Sequence, residues 1–118
     1  MSWGYHVMLD CRGGSKARIT SEENIRSFVK ELVQRIEMVA YGEPMVVHFA
    51  THDPDKAGYS FCQMIETSNI CGRFVDKNGN CYIDVFSCKP FDVGGVKDTA
   101  MEWFEPENIR WSFVERDA

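Results

Sequence analysis

Residues 58–88 read GYSFCQMIETSNICGRFVDKNGNCYIDVFSC, and this stretch decides the fold. Apolar, β-branched and aromatic residues fill three segments of strand-like length, residues 59–66, 68–75 and 80–87. Between the second and third segments lies Asp76-Lys-Asn-Gly-Asn, whose Asn78-Gly79 pair is typical of a tight hairpin turn. The stretch therefore predicts three consecutive strands in an antiparallel arrangement.

The most regular pattern upstream of this stretch predicts a helix that begins at Ser21. Ser21 can cap the first turn, and Glu22 and Glu23 suit the positive end of the helix dipole. Apolar residues then recur at helical spacing and form one face: Ile25, Phe28, Val29, Leu32, Val33, Ile36 and Val39. Gly42 and Pro44 end the pattern.

Four further segments complete the predicted order of elements. Strands are predicted at residues 3–10, 44–50 and 109–115, and a short helix at 96–104 after a loop at 90–95. The order β-α-β-β-β-β-α-β predicts an α+β fold, a two-layer α/β sandwich with a mainly antiparallel sheet and two helices on one face. A length of 118 residues fits a single domain, 1–118.

Composition limits the classes of function. The net charge of -5 makes the chain a poor candidate for a nucleic-acid binder, because phosphates attract Lys and Arg. No stretch approaches the roughly 20 apolar residues that cross a bilayer, and the first residues do not resemble a signal peptide. The five cysteines are odd in number and widely spaced, which favours free thiols. We therefore expect a cytoplasmic protein that binds neither nucleic acid nor membranes.

No pattern of residues predicts a metal site. His48 and His52 lie four residues apart, but in a segment that is predicted to be strand and loop rather than helix. The segment from Asp76 faintly resembles the start of a calcium loop, yet its glycine is misplaced and no glutamate occupies the twelfth position. We expect no metal cofactor, and these patterns alone predict no activity.

A resemblance to a known family adds what these patterns lack. The segments Gly58–Ile70 and Asn80–Cys88 resemble the bacterial and archaeal S-adenosylmethionine decarboxylases, which carry Gly-x-Ser, a strand ending in Glu-Ser-His, and Asp-Val-Phe-Thr-Cys-Gly. The spacing agrees without gaps from Ser60 through Cys88. Residues 4–9 resemble the family's Gly-Arg-His-Leu opening, and the length and element order also match, so the resemblance covers most of the chain.

The resemblance implies a self-processing enzyme of polyamine synthesis. In the family, the hydroxyl of the serine that matches Ser68 attacks the preceding carbonyl, which here belongs to Thr67. Elimination and hydrolysis then leave a pyruvoyl group, which is the electron sink when S-adenosylmethionine loses CO₂. The cysteine that matches Cys88 is the proton donor, and the residue that matches Ser60 assists processing. The resemblance therefore implies Ser68, Cys88 and Ser60 as catalytic residues.

The chain departs from the family pattern at several positions. The family's processing histidine is here Arg73, which stays protonated and cannot exchange a proton as imidazole does. A glutamate that holds the substrate ribose in the family is here Lys77, and its neighbour Asp76 is a candidate substitute. Phe49, in a loose counterpart of the family's His-x-Phe-x-Pro segment, and Glu66 are further candidate substrate-binding residues.

Two main functions stay open at this point. One is a decarboxylase that cleaves itself between Thr67 and Ser68 and acts on S-adenosylmethionine or a related amino acid. The alternative is a homologue that no longer cleaves itself and instead binds a ligand or regulates a partner; a fold relative with unrelated chemistry is a third reading. Family members pair into dimers, and we expect a homodimer here, because the sandwich leaves a sheet face or edge to be covered.

Overall fold

Six strands and three helices make up the computed structural model, which describes residues 1–118. The strands are β1 (Ser2–Arg12), β2 (Met45–Phe49), β3 (Gly58–Ile65), β4 (Ser68–Phe74), β5 (Cys81–Ser87) and β6 (Asn108–Asp117). The helices are α1 (Lys16–Ile19), α2 (Glu22–Arg35) and α3 (Val93–Phe104). All strand pairs are antiparallel, in the order β2-β3-β4-β5-β1-β6. The predicted α+β sandwich is confirmed.

One face of the sheet packs against the helices and forms the core. Strand residues of this inner face, all buried, include Val7, Leu9, Ile70, Phe74, Ile83 and Val85. Helix residues packed against them include Ile25, Phe28, Leu32, Val96, Ala100 and Phe104. The period-two alternation along each strand then sends the intervening side chains to the opposite face, which no helix covers. We call that opposite side the helix-free face.

Helix α2 begins as predicted and ends earlier than predicted. The Ser21 hydroxyl accepts the Asn24 backbone N–H at 3.1 Å, so the predicted N-cap is confirmed. The helix ends because Glu37 adopts a φ of +58° and the Met38 N–H donates to the Val33 carbonyl at 2.9 Å. This is a Schellman motif without a glycine, with buried Met38 and Val33 as its apolar contact. The prediction that the helix continues to Val39 is wrong, and the Val39 side chain is exposed.

The predictions around α1 and α3 also need correction. Helix α3 begins at Val93, so the predicted loop at 90–95 is wrong in its second half. The Asp92 carboxylate caps the helix by accepting the Gly94 N–H at 3.0 Å, and two glycines of low helix propensity conceal this start in the sequence. Helix α1 was not predicted, because a single turn carries no apolar period, although Ile19 on it is fully buried.

Candidate functional site

Ser68 lies at the tight connection between β3 and β4. Only Glu66 and Thr67 separate the two strands, and Ser68 pairs with Ile65 on β3 and Ser87 on β5. Its φ is 149°, a backbone conformation that residues with a Cβ atom rarely adopt and that costs roughly 1–3 kcal/mol. The chain therefore holds strained backbone immediately after the Thr67–Ser68 peptide bond.

Cys88 lies next to this peptide bond. Its backbone N–H donates to the Thr67 carbonyl oxygen at 3.0 Å. A donor at that oxygen stabilises the negative charge that develops when a nucleophile attacks the carbonyl carbon. Cys88 is exposed, so its side chain is accessible to a bound molecule. The structure thus brings together Ser68 and Cys88, two of the residues that the resemblance implies.

A buried hydroxyl fixes the side chain of Thr67. Ser87 is 0% exposed, and its Oγ lies 2.6 Å from Thr67 Oγ1 and accepts the Lys89 N–H at 3.0 Å. Sequence reasoning did not single out Ser87. The available signal was its place in β5, where it continues an inward-facing series of otherwise apolar residues, Cys81, Ile83 and Val85.

Asn69 holds the hydroxyl of Ser68, and the sequence did not single it out for this either. Its Nδ2 donates to Ser68 Oγ at 3.0 Å. The Asn69 side chain belongs to the helix-free face, because it alternates with buried Ile70. Glu66, the candidate substrate-binding residue, lies exposed in the connection two residues before Ser68. A ligand that reaches Ser68 from the helix-free face would therefore meet the Asn69 side chain.

Direct cross-strand partners divide the helix-free face into three rows. The upper row, nearest the β3–β4 connection, contains Met64, Asn69, Phe86, His6 and Val114. The middle row contains Met45, Cys62, Cys71, Asp84, Met8 and Ser112. The lower row contains Val47, Ser60, Arg73, Tyr82, Asp10 and Arg110. Partial burial, together with the nearby Asp10, raises the pKa of the Asp84 carboxyl, and His6 opposes this effect.

Ser60 and Arg73 face each other in the lower row. The Arg73 guanidinium donates to Ser60 Oγ at 3.4 Å and to the Gly58 carbonyl at 2.7 Å, and it also bonds the Lys56 carbonyl. Five residues of extended strand separate Arg73 from Ser68, which is roughly 16 Å. The structure therefore brings Ser60 and Arg73 to each other but not to Ser68 of the same chain.

Phe49 lies near Ser60, at the β2 edge of the helix-free face. Its side chain is 52% exposed. It lines a shallow groove of about 210 Å³ with Met45, Val47, Ser60, Phe61 and Cys62. An exposed aromatic ring beside apolar side chains can stack on a flat heterocycle.

Asp76 lies on the other side of the sheet from Ser60. Its Oδ2 is 2.6 Å from His48 Nε2, and the His48 ring contacts Tyr59, which packs against the core. Its Oδ1 is buried without a hydrogen-bond partner. Lys77, at the position of the family's ribose-binding glutamate, pairs with Asp55, which raises the pKa of Lys77 and lowers that of Asp55. The structure thus does not bring Asp76 to the Ser68 connection or to the groove beside Phe49.

The structure contains no cluster of three or more His, Cys, Asp or Glu side chains that could hold a metal ion. None of its helices has the length and apolar character needed to span a membrane.

Six antiparallel strands with helices on one face define the class of protein by its fold, a two-layer α+β sandwich. Ser68 lies at the connection between two of these strands. A family model described as S-adenosylmethionine decarboxylase matches residues 5–117. The chain belongs to the S-adenosylmethionine decarboxylase family, and the membership that the resemblance predicted is confirmed.

A solved relative shows the same fold. The chain is similar to the crystal structure of the adenosylmethionine decarboxylase from Aquifex aeolicus vf5, with a TM-score of 0.82 and 19% identity. The match covers 99% of this chain and 92% of that one. At this identity the likeness shows the fold alone. No curated protein matches the chain.

Proposed function

We propose that this chain is a pyruvoyl-dependent S-adenosylmethionine decarboxylase that cleaves itself between Thr67 and Ser68. One observation carries the proposal: strained backbone at Ser68 follows a carbonyl that the Cys88 N–H already holds at 3.0 Å. Strain of this kind persists where the surrounding structure enforces it, and it is concentrated at functional sites.

These residues fit the formation of a pyruvoyl group at position 68. Attack of Ser68 Oγ on the Thr67 carbonyl converts the peptide bond to an ester and frees the Ser68 amine, which relieves the strain at Ser68. The Cys88 N–H stabilises the charge on the carbonyl oxygen. Elimination then releases residues 1–67 with a terminal carboxylate, and hydrolysis at residue 68 releases ammonia and leaves the ketone.

The decarboxylation step assigns roles to Cys88 and Glu66. The pyruvoyl group, when present at residue 68, supplies the electron sink for the pair of electrons that departing CO₂ leaves behind. The exposed Cys88 thiol donates a proton to the reacting carbon. The Glu66 carboxylate, exposed beside the site, attracts the positively charged sulfonium and amine of the substrate.

We further propose a homodimer that packs two helix-free faces together. A two-fold axis that lies between the faces and runs perpendicular to the strands places the upper row of one chain over the lower row of the other. Ser60 and Arg73 of one chain would then lie near the partner's Ser68. Within a single chain these residues are too far apart to meet. Exposed apolar side chains on this face favour such burial: Met45, Val47, Met64, Tyr82 and Val114.

The groove beside Phe49 gains a role in this arrangement. It lies next to Ser60 in the lower part of the helix-free face, so the dimer would bring it close to the partner's Ser68. The Phe49 ring could then stack on the adenine of S-adenosylmethionine while the amino-acid end of the substrate reaches the partner's residue 68.

A second candidate function is an uncleaved homologue that binds a ligand or regulates a partner without decarboxylation. Arg73 favours it, because the guanidinium stands where the family has its processing histidine and is bonded to the Gly58 and Lys56 carbonyls. The lower row contains no histidine that could replace it.

Intact mass of the purified chain under reducing conditions separates the two functions. Self-processing predicts fragments 1–67 and 68–118, the second blocked at its N-terminus and reactive toward a hydrazine reagent. A matched Ser68→Ala chain should stay whole. If the unsubstituted chain also stays whole after long incubation, the decarboxylase proposal is wrong. Calorimetry with S-adenosylmethionine then tests the second function, for which retained binding is the expected result.

A further inference from the structure

Two cysteines face each other in the middle row of the helix-free face. Cys62 on β3 and Cys71 on β4 are direct cross-strand partners, and their Sγ atoms lie 3.3 Å apart. Both are free thiols, and Cys62 is exposed. Directly opposed residues in an antiparallel pair have Cα atoms about 4.5–5.5 Å apart, which falls within the span of a disulfide. A bond between the two sulfurs would therefore need no displacement of the strands.

We propose that, in the chain before it pairs into a dimer, Cys62 and Cys71 form a thiol–disulfide modification site whose co-substrate is a low-molecular-weight disulfide such as oxidised glutathione. The assignment is independent of cleavage at Ser68. The composition predicts free thiols. The proposal changes this expectation only for Cys62 and Cys71, whose sulfurs are close enough to form a disulfide.

The exchange takes place in two steps. The Cys62 thiolate attacks one sulfur of the small disulfide, which forms a mixed disulfide on Cys62 and releases one small thiolate. Cys71 then loses its proton and attacks Sγ of Cys62, which closes the intrachain disulfide and releases the second small thiolate. Both protein thiols are oxidised, and one small disulfide is reduced to two thiols.

The surroundings of the pair assign the order of attack. Burial, together with the neighbouring Cys62, raises the pKa of the Cys71 thiol to about 12, so Cys71 stays protonated. Cys62 is the more exposed thiol and the one that a small disulfide reaches first. Once Cys62 carries the mixed disulfide, it has no negative charge and no longer accepts a hydrogen bond from the Cys71 thiol. Both effects had raised the pKa of Cys71, so their loss favours the closing step.

Closure has two consequences for the Ser68 region. Cys71 Sγ donates to Asn69 Oδ1 at 3.6 Å, and Asn69 in turn holds Ser68 Oγ, so the disulfide removes a donor from this chain of contacts. Cys62 and Cys71 also lie on opposite sides of the Thr67–Ser68 bond. If the chain cleaves itself, the disulfide would keep fragments 1–67 and 68–118 covalently joined.

A second cross-strand pair supplies an internal control. Cys11 and Cys81 are also direct partners, on β1 and β5, but both are fully buried in the core. A small disulfide cannot reach them in the folded chain. Cys88 is exposed and would take up the reagent on its own, so a Cys88→Ser background simplifies the measurement.

The test counts thiols in the Cys88→Ser chain after incubation with oxidised glutathione. Since the proposed dimer would cover the pair, the protein is diluted until light scattering reports single chains. We expect four thiols to fall to two, with a loss of about 2 Da that dithiothreitol reverses. Peptide mapping should join Cys62 to Cys71, and the Cys71→Ser variant should instead retain one glutathione on Cys62.

Three results would overturn the assignment: four thiols that persist, an adduct on Cys62 that never closes, or equal thiol loss in a Cys62→Ser variant. None of these depends on the intact mass that decides cleavage at Ser68. The failure of this assignment and the failure of the proposed function are therefore distinguishable.

Discussion

The upper and lower ends of the helix-free face differ in what they keep of the family's chemistry. Next to the upper end, at the β3–β4 connection, lies the serine, with strained backbone and a carbonyl held by Cys88. The lower end has Arg73 where the family has a histidine, and its guanidinium is bonded to backbone carbonyls. Because roughly 16 Å of strand separates the two ends, the nucleophile and the groups that would assist it meet only if a second chain supplies one of them.

The largest expected effect is at the upper end, in the Cys88→Ala variant. Decarboxylation should fall by roughly 10²–10⁴, because the proton donor is lost. Cleavage between Thr67 and Ser68 should continue, since the donor to the Thr67 carbonyl is a backbone N–H that alanine retains. Carbon dioxide release and intact mass measure the two quantities on one sample. If cleavage and decarboxylation are lost together, Cys88 does not act through its thiol alone.

A smaller effect is expected at the lower end, where Arg73→His restores the family's residue. The rate of cleavage should rise by at least about tenfold, because imidazole exchanges protons near neutral pH and a guanidinium does not. Arg73→Lys is the matched control and should show no rise. Gel densitometry of the fragments against time gives both rates. Equal rates for the two variants would mean that proton exchange at position 73 does not limit cleavage.

A substitution at Ser87 tests how much the contact with Thr67 contributes to the free energy of unfolding. Ser87→Ala should lower the free energy of unfolding by about 1–3 kcal/mol, because a buried hydroxyl partner of Thr67 is removed. Urea denaturation measures this, with exposed Ser112→Ala as the control that should change little. A loss no greater than that of the control would show that the Thr67 contact contributes nothing to stability.

The smallest expected effect concerns Asp84, in the middle row between the two ends. Its pKa is raised in the folded chain, mainly by burial, so the folded state binds the proton more readily than the unfolded state does. Stability from this group is present at low pH and is lost as the pH rises from the unfolded pKa through the folded one. Asp84→Asn should therefore stabilise the chain at pH 7 and have little effect at pH 3.

Thermal unfolding at both pH values checks this, with Asp117→Asn near the exposed C-terminus as a control. Equal shifts at the two pH values would contradict the account of Asp84.

Local patterns predicted most of the fold. The apolar, β-branched and aromatic residues within 58–88 predicted three strands within a residue of their observed limits, because such residues suit strands with a buried face. The end of α2 could not be predicted, since the Schellman motif places Glu37, not a glycine, at positive φ. The start of α3 was concealed by Gly94 and Gly95, whose low helix propensity is offset by the Asp92 cap.

The site could be predicted only in part. The resemblance singled out Ser68 and Cys88, and the structure places them side by side. The contact of Ser87 with Thr67 depends on strand register, which is a non-local property that no motif encodes. The contact of Asn69 with Ser68 joins sequence neighbours, but it depends on side-chain conformations that the sequence pattern does not specify. The separation of Ser60 from Ser68 follows from a strand that is extended over its whole length, which spacing along the sequence does not by itself reveal.

The central claim is that the lower end of one chain completes the upper end of another, and co-expression of two variants tests it most directly. One chain carries Ser68→Ala and keeps Ser60 and Arg73; the other carries Ser60→Ala with Arg73→Ala and keeps Ser68. We predict that neither chain cleaves alone and that the doubly substituted chain yields fragments 1–67 and 68–118 only when both are present. Cleavage of the doubly substituted chain by itself, or none in the mixture while the unsubstituted chain cleaves, would contradict the account.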